Sequence, residues 1–440
     1  MKKLTAILLT SLFLFYNIPI KVNAIVKSPP SGISADSVVL LDATTGKILY
    51  EKNKDSAYPP ASTTKIMTIL LVLEKSKLSD VVTVSKNASL ADGSSIYLVE
   101  GEKITVKELL YGLILASAND CAVALAEHVS GSTEKFAKLM NTRADALGCK
   151  NTNFVNPNGL YNIKHKTSAY ALSLIMQELI KHPEYKVIST TPSYKMATTN
   201  KSKVSRPLWN ENRLIHKDDP NYYSGSEGGK TGYTTESQHS YIAVATRNGQ
   251  RLIVALVHDS KKTFFPDSRK LLDYGFENFE LVKQFSKNDV VSKLTLDNGT
   301  VLPLLASKDL YLLKAKNSTS KATTKISQSK LNFSSIKKGE LVNTAVISFG
   351  EDTYPLDLNS GIDYTKKNIS LKNNILSNSS LGTNLLFGFK NIIKYIFIAL
   401  VSLIVFLRIR VLRRRNARKR TNNFIYNSKN RRWWKTPDVN

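Results

Sequence analysis

The sequence has little of what disulfide, metal or redox chemistry needs. Among 440 residues only two are cysteine, Cys121 and Cys149, and only six are histidine. Two cysteines are too few for a disulfide framework and too far apart for a zinc site, and the histidines lack ligand spacing. No cofactor and no metal is therefore expected. Cys121 falls in an alanine-rich run, 119–126, where a buried and inert thiol is the simplest reading. Whether it pairs with Cys149 stays open at this level. No Gly-x-Ser-x-Gly turn supports a Ser-His-Asp hydrolase, and no internal repeat is apparent.

Acidic residues are also scarce, 35 against 62 Lys and Arg, for a formal net charge of +27. Such an excess suggests nucleic acid until it is located. Twelve of the basic residues lie between Arg408 and Lys435, and Lys2, Lys3 and Lys21 lie near the N-terminus. The body keeps about +13, spread along the chain, which suits an anionic surface such as a cell wall; no nucleic-acid partner is expected.

Both ends read as membrane-directing. Met-Lys-Lys, an apolar run from Leu4 to Ile20 and Val22-Asn23-Ala24 match the three regions of a signal peptide, 1–24. A second apolar segment, 391–407, is followed at once by Arg408, Arg410, Arg413, Arg414 and Arg415. It is read as one C-terminal transmembrane helix, with Lys394 snorkelling at its edge. The positive-inside rule puts the basic tail, 408–440, in the cytosol and the body outside a bacterial cell membrane.

Between these ends, Val38–Leu41 and Ile48–Tyr50 flank Thr44-Thr45-Gly46 and read as a hairpin. Pro59-Pro60 stops the strand, and from Ser62 the apolar positions Ile66, Ile69, Leu70 and Leu73 follow a helical period. Residues 104–180 are mostly helical, broken by the loop 151–162 with Asn156-Pro157-Asn158-Gly159. Asn248-Gly249 between two apolar runs is a tight-hairpin signal, and a helix is expected over 267–276. Strands at both ends and helices between them predict an α+β catalytic domain, 30–280. A small β-rich domain, 285–365, and a polar linker, 366–390, complete the expected order.

Three short patterns carry chemistry. Ser62-Thr63-Thr64-Lys65 opens a helix directly behind the Pro-Pro break, so both side chains share one helix face. A lysine can take the proton of such a serine when burial and nearby charge lower its pKa. Ser117-Ala118-Asn119 is the second, although Ser and Asn are also ordinary helix-capping residues. Lys230-Thr231-Gly232 occurs once, at the entrance of a strand, where Gly admits a substrate backbone and Lys and Thr offer a charge and a hydroxyl to a carboxylate. Each is weak alone, since Ser-x-x-Lys recurs at Ser132 and Ser318 and Ser-x-Asn at Ser85 and Ser286. Their order makes them a strong joint signal.

This trio, with Leu41-Asp42-Ala43-Thr44-Thr45-Gly46-Lys47, Asn119-Asp120-Cys121-Ala122, Phe154-Val155-Asn156-Pro157-Asn158-Gly159-Leu160 and Gly229–Thr234, resembles the serine-type D-alanyl-D-alanine carboxypeptidases, the low-molecular-mass penicillin-binding proteins. The resemblance implies a penicillin-recognising serine transferase fold, with an antiparallel sheet between helices. It implies peptidoglycan stem peptides ending in D-Ala-D-Ala as substrate and β-lactams as covalent inhibitors. It further implies Ser62 as acylated nucleophile, Lys65 as its base, Ser117 and Asn119 as proton relay and substrate contact, Lys230 and Thr231 as carboxylate site, and the N–H groups of Ser62 and Tyr233 as oxyanion donors. Arg213 is nominated as a further carboxylate contact. Two rivals share the fold: a β-lactamase, which needs an acid in the 151–162 loop that the sequence lacks, and a penicillin-sensing receptor, for which the 33-residue tail offers no output domain.

Overall fold

The computed structural model describes residues 28–366 except 297, 317 and 328–333. The expected signal peptide, linker, transmembrane helix and basic tail lie outside the described residues. Among the described residues no helix is long and apolar enough to cross a membrane.

The first hairpin is β1 (Ser37–Asp42) and β2 (Ile48–Lys52). Every residue of β1 is buried, as a strand inside a sheet covered on both faces must be. Asp42 shapes the turn by accepting from the amide and the hydroxyl of Thr45, both at 2.8 Å. A single 3-10 turn, Ala61–Thr64, then leads into α1 (Lys65–Lys75), which is buried from Lys65 to Val72 and so runs through the interior. A small ribbon of β3 (Val81–Thr83) and β4 (Lys103–Thr105), with the one-turn α2 (Lys86–Ser89) between, precedes α3 (Val106–Leu115). Next come α4 (Asn119–Ser130), α5 (Thr133–Ala146) and α6 (Ala169–Leu179). Thr105, Ser132 and Ser168 each cap their helix by accepting the amide N–H three positions on.

A stretch with no clear sequence signal holds α7 (Pro183–Ser189) and a two-stranded ribbon, β5 (Ser193–Met196) with β6 (Arg206–Trp209). Then β7 (Ser226–Thr234), β8 (Gln238–Arg247) and β9 (Gln250–Asp259) complete the sheet, and α8 (Phe264–Asn278) packs on it. The order is β2-β1-β9-β8-β7, antiparallel throughout, with β1 beside β9, so the chain's early and late strands join as expected. Asn248 and Gly249 turn β8 into β9 with φ of 51° and 79°, the left-handed values a tight hairpin demands.

Strand alternation divides the core in two. Val39, Leu41, Ile242, Val244, Ile253 and Ala255 face α1, α3, α4 and α6, while Val38, Leu40, Tyr241, Leu252, Val254 and Leu256 face α8 through Leu271, Leu272 and Phe276. The result is three layers, helices on both faces of one sheet. Cys121 and Cys149 are both free and buried, and burial pushes both thiols upward in pKa, Cys149 to about 12.

From Phe279 the described chain is all β. The strands are β10 (Phe279–Phe285), β11 (Val290–Thr295), β12 (Val301–Ala306), β13 (Leu310–Ala315), β14 (Thr323–Ile326), β15 (Ser335–Ile336), β16 (Leu341–Phe349), β17 (Asp352–Ser360) and β18 (Tyr364–Thr365). Five form a sheet in the order β11-β12-β17-β16-β14, and β10 pairs with β13. Leu302, Leu304, Ala345, Ile347, Leu356 and Leu358 give it a core of its own.

Candidate active site

Ser62 sits in the 3-10 turn that feeds α1, directly against Gly232 of β7. The turn is held under local constraint. Ala61, immediately before Ser62, has φ of 49°, unusual for any residue other than glycine. Thr63 donates its hydroxyl to Pro60 O at 2.7 Å and fixes the turn from within.

From below, the 151–162 loop supports it. A Cβ on Gly159 would lie 1.9 Å from Ala61 O, so only glycine allows this approach, and its φ of 87° requires glycine as well. Thr68 donates to Pro157 O at 2.6 Å. The Val155 N–H donates to His165 Nδ1 at 3.1 Å, which places the ring's proton on Nε2, 2.8 Å from Thr64 Oγ1. Burial lowers this imidazole to about 4, so it stays neutral and structural.

Lys65 is fully buried three residues after Ser62. Its Nζ lies 2.9 Å from Ser62 Oγ, 2.6 Å from Asn119 Oδ1 and 2.7 Å from Asn158 O. Burial first, and then the Lys230 cation, hold the ammonium well below its ordinary pKa. None of its three contacts is a carboxylate, so nothing in touch with the amine favours the charged form as an acid would. A neutral amine against a serine hydroxyl is what proton abstraction requires.

The middle pattern does not cap its helix. The residue before α4 is Ala118, which makes no side-chain cap, and Ser117 lies outside the helix with φ of 56°. Its non-helical backbone and burial mark a constrained position. Asn119 is the first residue of α4, accepts from Lys65, and donates its Nδ2 to Asp92 O at 2.6 Å. Asp120 anchors the same region. Its carboxylate accepts from Ser95 Oγ at 2.6 Å and from the N–H groups of Ile96, Leu98 and Cys121, tying residues 95–98 to the helix start.

The third pattern lies on β7, the edge strand. A Cβ on Gly232 would stand 2.8 Å from Ser62 N and 2.9 Å from Pro60 O, so the strand passes over the Ser62 turn in direct contact. Lys230 is buried and donates to Thr231 O at 2.9 Å; burial lowers it to about 8, opposed by the nearby Glu211 charge. Tyr233 is exposed and stacks on His239 with ring centres 4.5 Å apart.

Arg213 lies close in the fold to this group, on a turn that packs against β7. It lies in a 3-10 turn, is exposed, and pairs with Asp219 at 3.4 Å. The residue that reaches Thr231 is Glu211, whose Oε2 accepts from Thr231 Oγ1 at 3.2 Å. The sequence reading missed it because a lone glutamate between two asparagines carries no pattern of its own. It follows β6, whose Pro207 and shortness hide the ribbon that positions it.

Two family models match the chain. One, described as D-alanyl-D-alanine carboxypeptidase, peptidase S11, spans residues 23–261, and one described as penicillin-binding protein 5, C-terminal domain, spans 279–356. The D-alanyl-D-alanine carboxypeptidase DacF of Bacillus subtilis is 38% identical over 71% of this chain and 81% of its own length. DacA of Haemophilus influenzae, of the same name otherwise, is 32% identical over 79% and 86%. The solved structure of penicillin binding protein 5 from Haemophilus influenzae superposes with a TM-score of 0.66 at 30% identity, covering 77% of this chain and all of that one.

Proposed function

The chain belongs to the D-alanyl-D-alanine carboxypeptidase family, and on that premise we propose that Ser62 is its nucleophile and Lys65 the base that activates it. The activity is serine-type removal of the terminal D-alanine from peptidoglycan stem peptides ending in D-Ala-D-Ala, through an acyl-enzyme that β-lactams also form. The observation that carries the residue assignment is the fully buried Lys65 amine, held 2.9 Å from Ser62 Oγ with no carboxylate in contact.

In this reading Ser62 Oγ attacks the carbonyl of the penultimate D-alanine while its proton passes to Lys65 Nζ. The N–H groups of Ser62 and Tyr233 receive the developing oxyanion. Collapse breaks the peptide C–N bond, and the leaving D-alanine takes a proton relayed through Ser117. Lys230 and Thr231 hold the substrate's terminal carboxylate, and Gly232 lets the backbone come close. Water then attacks the ester, Lys65 again takes a proton, and Ser62 is restored.

The β-lactamase alternative is disfavoured because the Asn158-Gly159 loop presents a backbone carbonyl to Lys65 and holds no acid to activate a water. A labelled penicillin is expected to remain on the wild-type chain through denaturing electrophoresis and to be absent from Ser62→Ala. Labelling of Ser62→Ala would place the nucleophile elsewhere, and rapid penicillin hydrolysis without an adduct would favour a β-lactamase.

The location is part of the same proposal. Residues 1–24 direct export, 391–407 anchor the chain in the bacterial membrane and 408–440 stay in the cytosol, so that the catalytic domain meets the wall. Truncation before Asn391 should release active protein into the medium; a truncated form still bound to membranes after a salt wash would refute this anchor.

A further inference from the structure

Removing a single D-alanine needs no room beyond the terminal carboxylate, yet room is there. A groove of about 500 Å³ opens beside Ala116 and is lined by Tyr97, Arg206, Leu208, Trp209 and Glu211. Glu211 belongs to it and also accepts from Thr231 Oγ1, so the groove continues from the carboxylate site on the leaving-group side of the scissile bond.

Its chemistry is specific. Trp209 is 71% and Tyr97 84% exposed, so both large rings offer apolar surface at the same groove. Tyr97 is fixed there with φ of 60°, on the 95–98 segment that Asp120 ties down. The groove has two formally charged lining residues, and one is already neutralised: Arg206 pairs with the fully buried Glu102 through Nη1 at 2.8 Å and Nη2 at 3.0 Å. The charge left facing the groove is the Glu211 carboxylate.

That carboxylate is badly placed for a D-alanine leaving group. It occupies the hydroxyl of Thr231 that the substrate carboxylate would use, and it adds a like charge beside that carboxylate. A leaving residue that carries its own cation removes both problems, because an ammonium can take Glu211 and free Thr231 for the α-carboxylate.

We propose that this groove is a leaving-group subsite that favours a D-configured diamino acid over D-alanine, with Glu211 receiving the side-chain ammonium and Trp209 and Tyr97 walling its aliphatic stem. The inference rests on the acyl-transfer reading of Ser62 given above. The step is the same one: the Ser62 Oγ–C bond forms, the amide C–N bond breaks, the diamino acid leaves as the free amine after taking a proton, and water cleaves the ester.

The test uses two tripeptides with one acyl half, diacetyl-L-lysyl-D-alanyl-D-alanine and diacetyl-L-lysyl-D-alanyl-D-lysine, on the full-length chain in detergent. Deacylation is common to both, so the ratio of kcat/KM reads the leaving group alone. Wild type should prefer the D-lysine peptide by about fivefold, the scale of a partly exposed charge-assisted contact. In Glu211→Gln the ratio should fall to near one, the D-alanine peptide improving while the D-lysine peptide worsens. Trp209→Ala should weaken the D-lysine peptide selectively. A wild-type ratio at or below one, or a preference that survives Glu211→Gln, would overturn the subsite while D-alanine release still upholds the enzyme assignment. Failure to release either residue would overturn both.

Discussion

Replacing Lys65 tests whether its amine, rather than its bulk, activates the serine. The side chain is fully buried, and its nitrogen meets Ser62 Oγ, Asn119 Oδ1 and Asn158 O. Methionine matches its length but leaves two buried acceptors without a donor, at about 1–3 kcal/mol each. Arginine keeps the donors but cannot lose its proton, and its planar head exceeds the space. Overpacking costs about 1–3 kcal/mol, and a fixed charge with no acid in contact adds several more. On activity both should lose at least the roughly 10²–10⁴-fold that general-base catalysis supplies. D-alanine release, normalised to folded protein by near-ultraviolet circular dichroism, is the assay. Arginine should therefore fail at least as badly as methionine. If Lys65→Arg turns over within about tenfold of wild type, a group able to exchange protons lies elsewhere and the reasoning from burial is wrong.

The pH profile of kcat/KM should be bell-shaped. It rises as Lys65, held well below its ordinary range, becomes neutral, and falls above about 8 as Lys230 loses the proton that binds the substrate carboxylate. Lys230→Arg should move the falling limb to higher pH, and an unmoved limb would exclude Lys230 as its source. Gly159→Ala sets a Cβ 1.9 Å from Ala61 O at φ of 87°. The backbone term alone is about 1–2 kcal/mol, so a lowered Tm together with at least tenfold slower acylation by labelled penicillin is expected. Unchanged acylation would mean that the 151–162 loop does not position Ser62. Glu227, buried between Lys186 and Arg251 at 2.8 Å each and Thr246 Oγ1 at 2.9 Å, locks α7 to the sheet. Glu227→Ala should cost about 3 kcal/mol in denaturant unfolding, and a loss under about 0.5 kcal/mol would show the pairs to be solvent-screened.

What the sequence made legible was whatever periodicity and punctuation encode. The Thr44-Thr45-Gly46 and Asn248-Gly249 turns mark hairpins because positive φ there calls for such residues, and both are present. Apolar spacing after Ser62 marked α1, since a helix that crosses the core must be apolar nearly all round. The ribbon of β5 and β6 was invisible, having four residues a strand, a proline in one and mostly exposed side chains. Glu211 was invisible for the same reason, because its meaning comes from Thr231, twenty residues away in sequence. Arg213 was nominated from the resemblance, and the fold sets its turn against β7 with its guanidinium 3.4 Å from Asp219. The capping explanation for Ser117 failed on backbone geometry, which residue identity does not reveal.

That geometry recurs around Ser62. Ala61, Tyr97 and Ser117 all have φ between 49° and 60°, and none is glycine or asparagine. For such residues the left-handed region costs of order 1–3 kcal/mol apiece, so each must be over-determined by its surroundings. Ala61 is gripped between Pro60 and the Gly159 backbone, Tyr97 by the Asp120 anchor of its neighbours, and Ser117 between the end of α3 and the start of α4. Ala61 adjoins Ser62, Tyr97 lines the groove beside Trp209, and Ser117 is the proposed proton relay itself. Relaxing any of them would stabilise the local backbone and displace a group that has to meet substrate to within a fraction of an ångström. The close approaches of Gly159 and Gly232 and the hydrogen bonds of Asn119 and Asp120 are the contacts that hold these strained turns in place.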